Sequence, residues 1–256
     1  MNTTADFLRQ VRTAKPLVHH ITNEVTVSDC ANATLFIGGF PVMANSPHET
    51  EEMVGLAQAL VLNIGTLHEE QIKAMLLTGK RANALNIPII LDPVGAGATA
   101  YRTQTALQLL KELKIAVVKG NAGEIATLAG EQAEVRGVES GEVAEIVRPA
   151  TTLASIIGGV VAVTGAQDLI VQEGRIDWVE GGSARMKSFV GSGCVAASLV
   201  GCFVGASPRQ PYDATLAAFT VYRKAAARAA AQNPVGPVAF RDLVYAELAK
   251  IRPEDL

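Results

Sequence analysis

Short apolar runs alternate with longer stretches of helical spacing along most of the chain. Leu17–Ile21, Ala59–Ile64, Ile89–Leu91, Ile115–Val118 and Val160–Val163 are mostly apolar and bounded largely by Gly, Pro, Asn or Thr. Such runs predict strands buried on both faces. Between them, Thr50–Gln58, Glu69–Leu85, Thr103–Leu113 and Gly141–Val147 carry helical spacing. Leu107, Leu110 and Leu113 fall on one face of the third. Val143, Ile146 and Val147 do the same in the fourth, before Pro149 interrupts it. Strand–helix alternation of this kind predicts an α/β protein, a mainly parallel central sheet flanked by helices on both faces.

The alternation breaks once. Leu169–Gln172 and Ile176–Val179 are joined directly by Glu173-Gly174-Arg175, which predicts a hairpin in place of another crossover. Two Ala-rich helical stretches follow, Gly193–Val204 and Ala214–Ala231, then a C-terminal helix near Phe240–Ile251. No repeat, low-complexity tract or linker divides residues 1–256, so one domain is expected.

Composition narrows the function classes. An apolar fraction of 49% and 23 glycines allow a sizeable core with many tight turns. With 22 basic against 25 acidic residues and no Lys/Arg cluster, a nucleic-acid surface is excluded. Cys30, Cys194 and Cys202 have neither an even count nor a CxxC spacing, which fits a reducing cytoplasm better than a disulfide framework or zinc site. The first residues lack the continuous apolar core of a signal peptide, and Ile156–Val163 is too short to span a bilayer. A soluble protein without a membrane partner is expected.

In an open parallel sheet, ligands sit outside the carboxyl ends of the strands. The residues to inspect are therefore Thr22-Asn23, Asn63, Asp92, Lys119-Gly120-Asn121 and Thr164-Gly165. Gly191-Ser192-Gly193-Cys194 stands before an Ala-rich helix. Free N–H groups and a helix's positive end would converge there, suiting an anion, although a Gly-rich helix start made for packing reads the same way. A dinucleotide fingerprint is rejected, because Arg185-Met186-Lys187-Ser188 is no buried strand and Asp213 lies in an expected loop. Asp92 and Glu124, with Lys119 and that Gly-rich start, would together hold Mg²⁺ and a polyphosphate. Asp92 alone could equally be a helix cap. The four histidines form no HExxH and propose no metal site.

Thr22-Asn23, Pro41-Val42-Met43, Asn63-Ile64-Gly65-Thr66, Asp92-Pro93-Val94-Gly95, Lys119-Gly120-Asn121-x-x-Glu124, Val163-Thr164-Gly165 and Gly191-Ser192-Gly193-Cys194, in that order, resemble the hydroxyethylthiazole kinases. The resemblance covers about Leu17 to Gly205. It implies a three-layer ribokinase-like fold, ATP as co-substrate, Mg²⁺ as cofactor, and a homotrimer with active sites at subunit interfaces. The substrate it implies is 4-methyl-5-(2-hydroxyethyl)thiazole, phosphorylated on its primary hydroxyl in thiamine salvage.

Carried over by position, Met43 and Gly191 would contact the thiazole, with Asn23 beside the substrate and the phosphates. Lys119 and Thr164 would bind ATP, and Asp92 and Glu124 would serve Mg²⁺. Ser192, Gly193 and Cys194 would form the catalytic anion hole, with Cys194 where most ribokinase-like enzymes carry Asp. The chain departs from the pattern at Lys119, where Arg is common, and at Ser192, which replaces Thr but keeps the hydroxyl. The competing expectations are another small-alcohol kinase of this fold, such as a hydroxymethylpyrimidine kinase, an ADP-dependent hydratase, or a nucleotide-binding regulator without turnover.

Overall fold

The computed structural model describes residues 2–131 and 143–256. The apolar runs become one eight-stranded sheet of spatial order β2-β1-β3-β4-β5-β6-β7-β8. Its strands are β1 (Leu17–Ile21), β2 (Phe40–Val42), β3 (Ala59–Asn63), β4 (Ile89–Asp92), β5 (Val117–Asn121), β6 (Val160–Thr164), β7 (Asp168–Gln172) and β8 (Arg175–Val179). Strands β1 to β6 are parallel. Strands β7 and β8 then run antiparallel as the expected hairpin. Its turn is Glu173-Gly174, where Gly174 at φ +74° takes the left-handed backbone that closes it.

Helices cover both faces. They are α1 (Thr4–Ala14), α2 (Val27–Ile37), α3 (Thr50–Val54), α4 (Glu69–Ala84), α5 (Ala100–Glu112), α6 (Ala122–Leu128), α7 (Val143–Ile157), α8 (Ser192–Ala206), α9 (Pro211–Ala231) and α10 (Gly236–Lys250). The strand period of two sorts the core into two layers. Ala59 and Val61 of β3 pack with α1, α2, α8, α9 and α10. Leu60 and Leu62 face the opposite way, with α4 to α7. Because every residue of β3 is buried, it reads as a continuous apolar run.

Helix α8 is apolar all round, buried from Val195 to Gly205. It lies so close to the sheet that a Cβ on Gly201 would sit 2.8 Å from Val61 Cγ2 and 3.0 Å from Val18 Cγ1. Only glycine allows that approach.

Several expectations change. The buried face of α5 is Thr105, Ala106 and Leu109; of the expected leucines Leu107 is exposed, whereas Leu113 is buried just past the helix end and Leu110 packs partly buried against the same core. Helix α7 runs through Pro149, giving up one backbone hydrogen bond while Leu153 and Ala154 stay buried. Gly141 and Glu142 of that expected helix lie outside the described residues. Pro211 stands in the first turn of α9, where its missing N–H is harmless, so Asp213 is helical and not in a loop. Strand β2 and helices α1, α2 and α6 were not among the expected elements.

Candidate active site

The sheet's carboxyl edge gathers most of the expected polar residues. The parallel register sets Asn63 of β3 opposite Asp92 of β4. Asp92 is completely buried. Its Oδ1 accepts from Lys119 Nζ at 2.9 Å and its Oδ2 from Asn63 Nδ2 at 2.8 Å. Burial pushes the Asp92 carboxyl up to about 6, against the downward pull of Lys119 and of Asn63, and Glu124's nearby charge raises it further. Burial pulls the Lys119 ammonium down, but Asp92 and Glu124 more than offset this and hold it above its usual value. At neutral pH the pair is ionised.

Glu124 closes a capping box on α6. Its Oε2 accepts from Asn121 N at 2.8 Å, and Asn121 Oδ1 accepts from Glu124 N at 2.9 Å. Its other oxygen accepts from Gly95 N at 2.8 Å. The helix-cap reading offered for Asp92 therefore belongs to Asn121 and Glu124.

Helix α8 begins beside this cluster. Gly191 is its N-cap at φ +98°, and a Cβ there would lie 2.8 Å from Thr26 Cγ2. A Cβ on Gly193 would lie 3.1 Å from Lys119 Nζ, so the helix start and the ammonium face the same space. Cys194 is partly exposed, and its sulfur accepts from Asn63 Nδ2 at 3.3 Å and Asn23 Nδ2 at 3.4 Å. Asn23, Asn63, Asp92, Lys119, Gly193 and Cys194 thus form one contiguous group.

A cavity of about 420 Å³ opens from the α8 start. Ser192 and Gly193 lie at one part of its wall, Thr164 and Gly165 at another, and Met186 and Phe219 add apolar surface. Met43 follows the edge strand β2, is half-buried, and does not line this cavity.

Arg223 was not foreseen. From α9 it donates to Asp168 Oδ2 at 2.5 Å and to the carbonyls of Gly165, Ala166 and Gly181 at 2.9, 2.6 and 2.8 Å. It ties the loops that frame the cavity, and its separation of 55 residues from Asp168 left no local sequence signal.

The donor set suits magnesium. Among the described residues no three His, Cys, Asp or Glu cluster as a metal cage. Mg²⁺ normally takes one or two carboxylates and completes its shell with water and phosphate oxygens. Each oxygen of Asp92 and Glu124 accepts one N–H, which leaves it a further lone pair. Burial and, to a lesser degree, the charge of Glu124 raise Asp92, and a cation would offset both.

This architecture, a mainly parallel sheet between two helix layers with α8 starting at its carboxyl edge, is the ribokinase-like α/β fold. A ribokinase-like superfamily protein of Enterococcus faecalis V583 superposes on it with a TM-score of 0.66 at 12% identity, covering 99% of this chain and 92% of that one. The profile of the hydroxyethylthiazole kinase family matches residues 8–254. Hydroxyethylthiazole kinase of Thermoanaerobacter sp. (strain X514) is 48% identical over 97% of this chain and 95% of its own. The structure of hydroxyethylthiazole kinase from Pyrococcus horikoshii OT3 gives a TM-score of 0.90 at 38% identity, covering 98% and 94%. The chain belongs to the hydroxyethylthiazole kinase family.

Proposed function

We propose that this chain transfers the γ-phosphoryl group of ATP to the primary hydroxyl of 4-methyl-5-(2-hydroxyethyl)thiazole, within thiamine salvage. The observation that carries the reading is the buried Lys119–Asp92 pair beside the start of α8, with Cys194 next to it. ATP would lie in the 420 Å³ cavity with its phosphates toward Thr164, Asn23, Lys119 and the Ser192 and Gly193 amides. Met43 and Gly191 would contact the thiazole.

The hydroxyl oxygen attacks the γ-phosphorus in line, and the bond to the β–γ bridging oxygen breaks with its electron pair leaving on ADP. The hydroxyl proton passes to the Cys194 thiolate, which becomes the thiol. Lys119 and the α8 amides stabilise the charge on the moving group, where fixed donors contribute most. Asp92 and Glu124 would hold Mg²⁺, which supplies charge neutralisation on the phosphate oxygens. The loose transition state of phosphoryl transfer asks only modest basicity of Cys194.

The chain acts as a single domain in the cytoplasm, assembled as a homotrimer with active sites between subunits. No helix among the described residues is long and apolar enough to cross a membrane. The experiment is a screen of small alcohols for ATP-dependent phosphorylation, thiazole and pyrimidine alcohols side by side, with light scattering of the active species. Thiazole turnover by a trimer is expected. Turnover of hydroxymethylpyrimidine alone, or full activity in a monomer, would overturn the substrate or the assembly respectively.

A further inference from the structure

Asn63 uses its whole hydrogen-bonding capacity within the site. Its Oδ1 accepts from Gly65 N at 2.9 Å and from Asn23 Nδ2 at 3.0 Å. Its Nδ2 donates to Asp92 Oδ2 at 2.8 Å and to Cys194 Sγ at 3.3 Å. Gly65 forbids a flipped amide, because its backbone N–H can only donate and must face an oxygen. Asn23 is locked in the same way, since its Oδ1 accepts from Thr26 N at 3.0 Å. Both amides therefore turn an N–H toward one sulfur. Gly65 leaves them room, because a Cβ there would lie 2.9 Å from Asn23 Cβ and 3.0 Å from Asn63 Oδ1.

As a thiolate, the form able to take a proton, the Cys194 sulfur carries three lone pairs. With two of them taken by the amide donors, the third is the one left to accept the hydroxyl proton of the substrate. We propose that Asn63 is a positioning residue for the phosphoryl transfer, acting with Asn23 to fix the Cys194 sulfur so that its proton-exchanging direction faces the bound alcohol. The same amide bonds Asp92, so the sulfur's orientation is tied to a carboxylate that would hold Mg²⁺. This inference rests on the reading of Cys194 as the proton-transfer residue.

The test is a double-mutant cycle between Asn63→Ala and Cys194→Ala, with kcat and KM measured for both substrates. Asn63→Ala should lower kcat about tenfold, a coupling of ordinary size for residues in contact, and leave the KM for ATP within about twofold. In the Cys194→Ala background the same substitution should change kcat less than about twofold, because the sulfur it positions is gone. If Asn63→Ala does not fold, Asn63→Ser carries the cycle, since its hydroxyl can replace the amide oxygen in the turn to Gly65 N. An undiminished tenfold effect in the Cys194→Ala background would overturn the proposal and leave Asn63 acting through Asp92 alone. A Cys194→Ala enzyme with full activity would instead remove the proton-transfer reading itself.

Discussion

Asp92→Asn separates the structural and chemical roles of the buried ion pair. The substitution is nearly isosteric, yet the carboxylate satisfies two donors, Lys119 Nζ at 2.9 Å and Asn63 Nδ2 at 2.8 Å. An amide has one oxygen and must turn its NH₂ toward the other donor. Removing the charge has one benefit: the penalty of keeping a fully buried carboxylate ionised, which raises its pKa, disappears. Against it stands the Lys119 ammonium, 4% exposed and stripped of its partner. One-sided breaks of buried pairs, net of such benefits, cost about 3–5 kcal/mol. The stranded ammonium therefore wins, and urea unfolding followed by circular dichroism should show a loss at the lower end of that range. Asp92→Asn combined with Lys119→Met removes both ions and should recover the stability, because apolar replacement of a whole buried pair is typically neutral or better. Neither protein should recover turnover, with kcat in an ADP-release assay lower by about 10²–10³ or more. An unchanged urea midpoint for Asp92→Asn would deny the ion pair. Near-normal kcat in the double variant would deny both side chains a part in the chemistry.

Cys194→Asp should stay active and Cys194→Ala should lose about a hundredfold in kcat, with mass spectrometry finding no phosphorylated cysteine during turnover; a phosphoenzyme would sink the direct-transfer mechanism. Met43→Ala should raise the KM for the thiazole alcohol several-fold more than that for ATP, and equal effects would make Met43 a packing residue. Stability should also fall with acid. Burial lowers His20 from 6.5 to about 4, so the unfolded chain binds the extra proton between those values, and up to about 3 kcal/mol present above pH 6.5 is lost as pH drops through 4. A flat urea midpoint from pH 7 to 4.5 would contradict the buried neutral imidazole.

The strands were legible because burial on both faces leaves unbroken apolar runs, as in Ala59–Leu62, and their polar endings marked Asn63, Asp92 and Lys119 as residues of one edge. The helix face of α5 was legible only in part: Leu110 and Leu113 do reach the core, but the side chains against the sheet include Thr105 and Ala106, which a search for large apolar residues passes over. Strand β2 is three residues long with Pro41 inside it, tolerable only on an edge and too short for periodicity to register. Pro149 misled for the opposite reason: packing of α7 outweighs one missing hydrogen bond. Within the site, the residue types announced themselves at the motifs, whereas the clamp by Arg223 and the double amide on Cys194 arise only from contacts between distant segments.

Helix α8 is held from every side, and the amides proposed to meet the phosphates belong to its first turn. A binding site of this construction has little freedom to melt locally. The interior amides of 195–204 should exchange with deuterium only through global opening, at rates that track the unfolding equilibrium measured in denaturant. Amides of the first turn, beginning at the partly exposed Gly191–Cys194, should exchange faster and gain protection when nucleotide binds. Heat should then abolish catalysis at the temperature where the whole sheet gives way, without an earlier inactive but folded state.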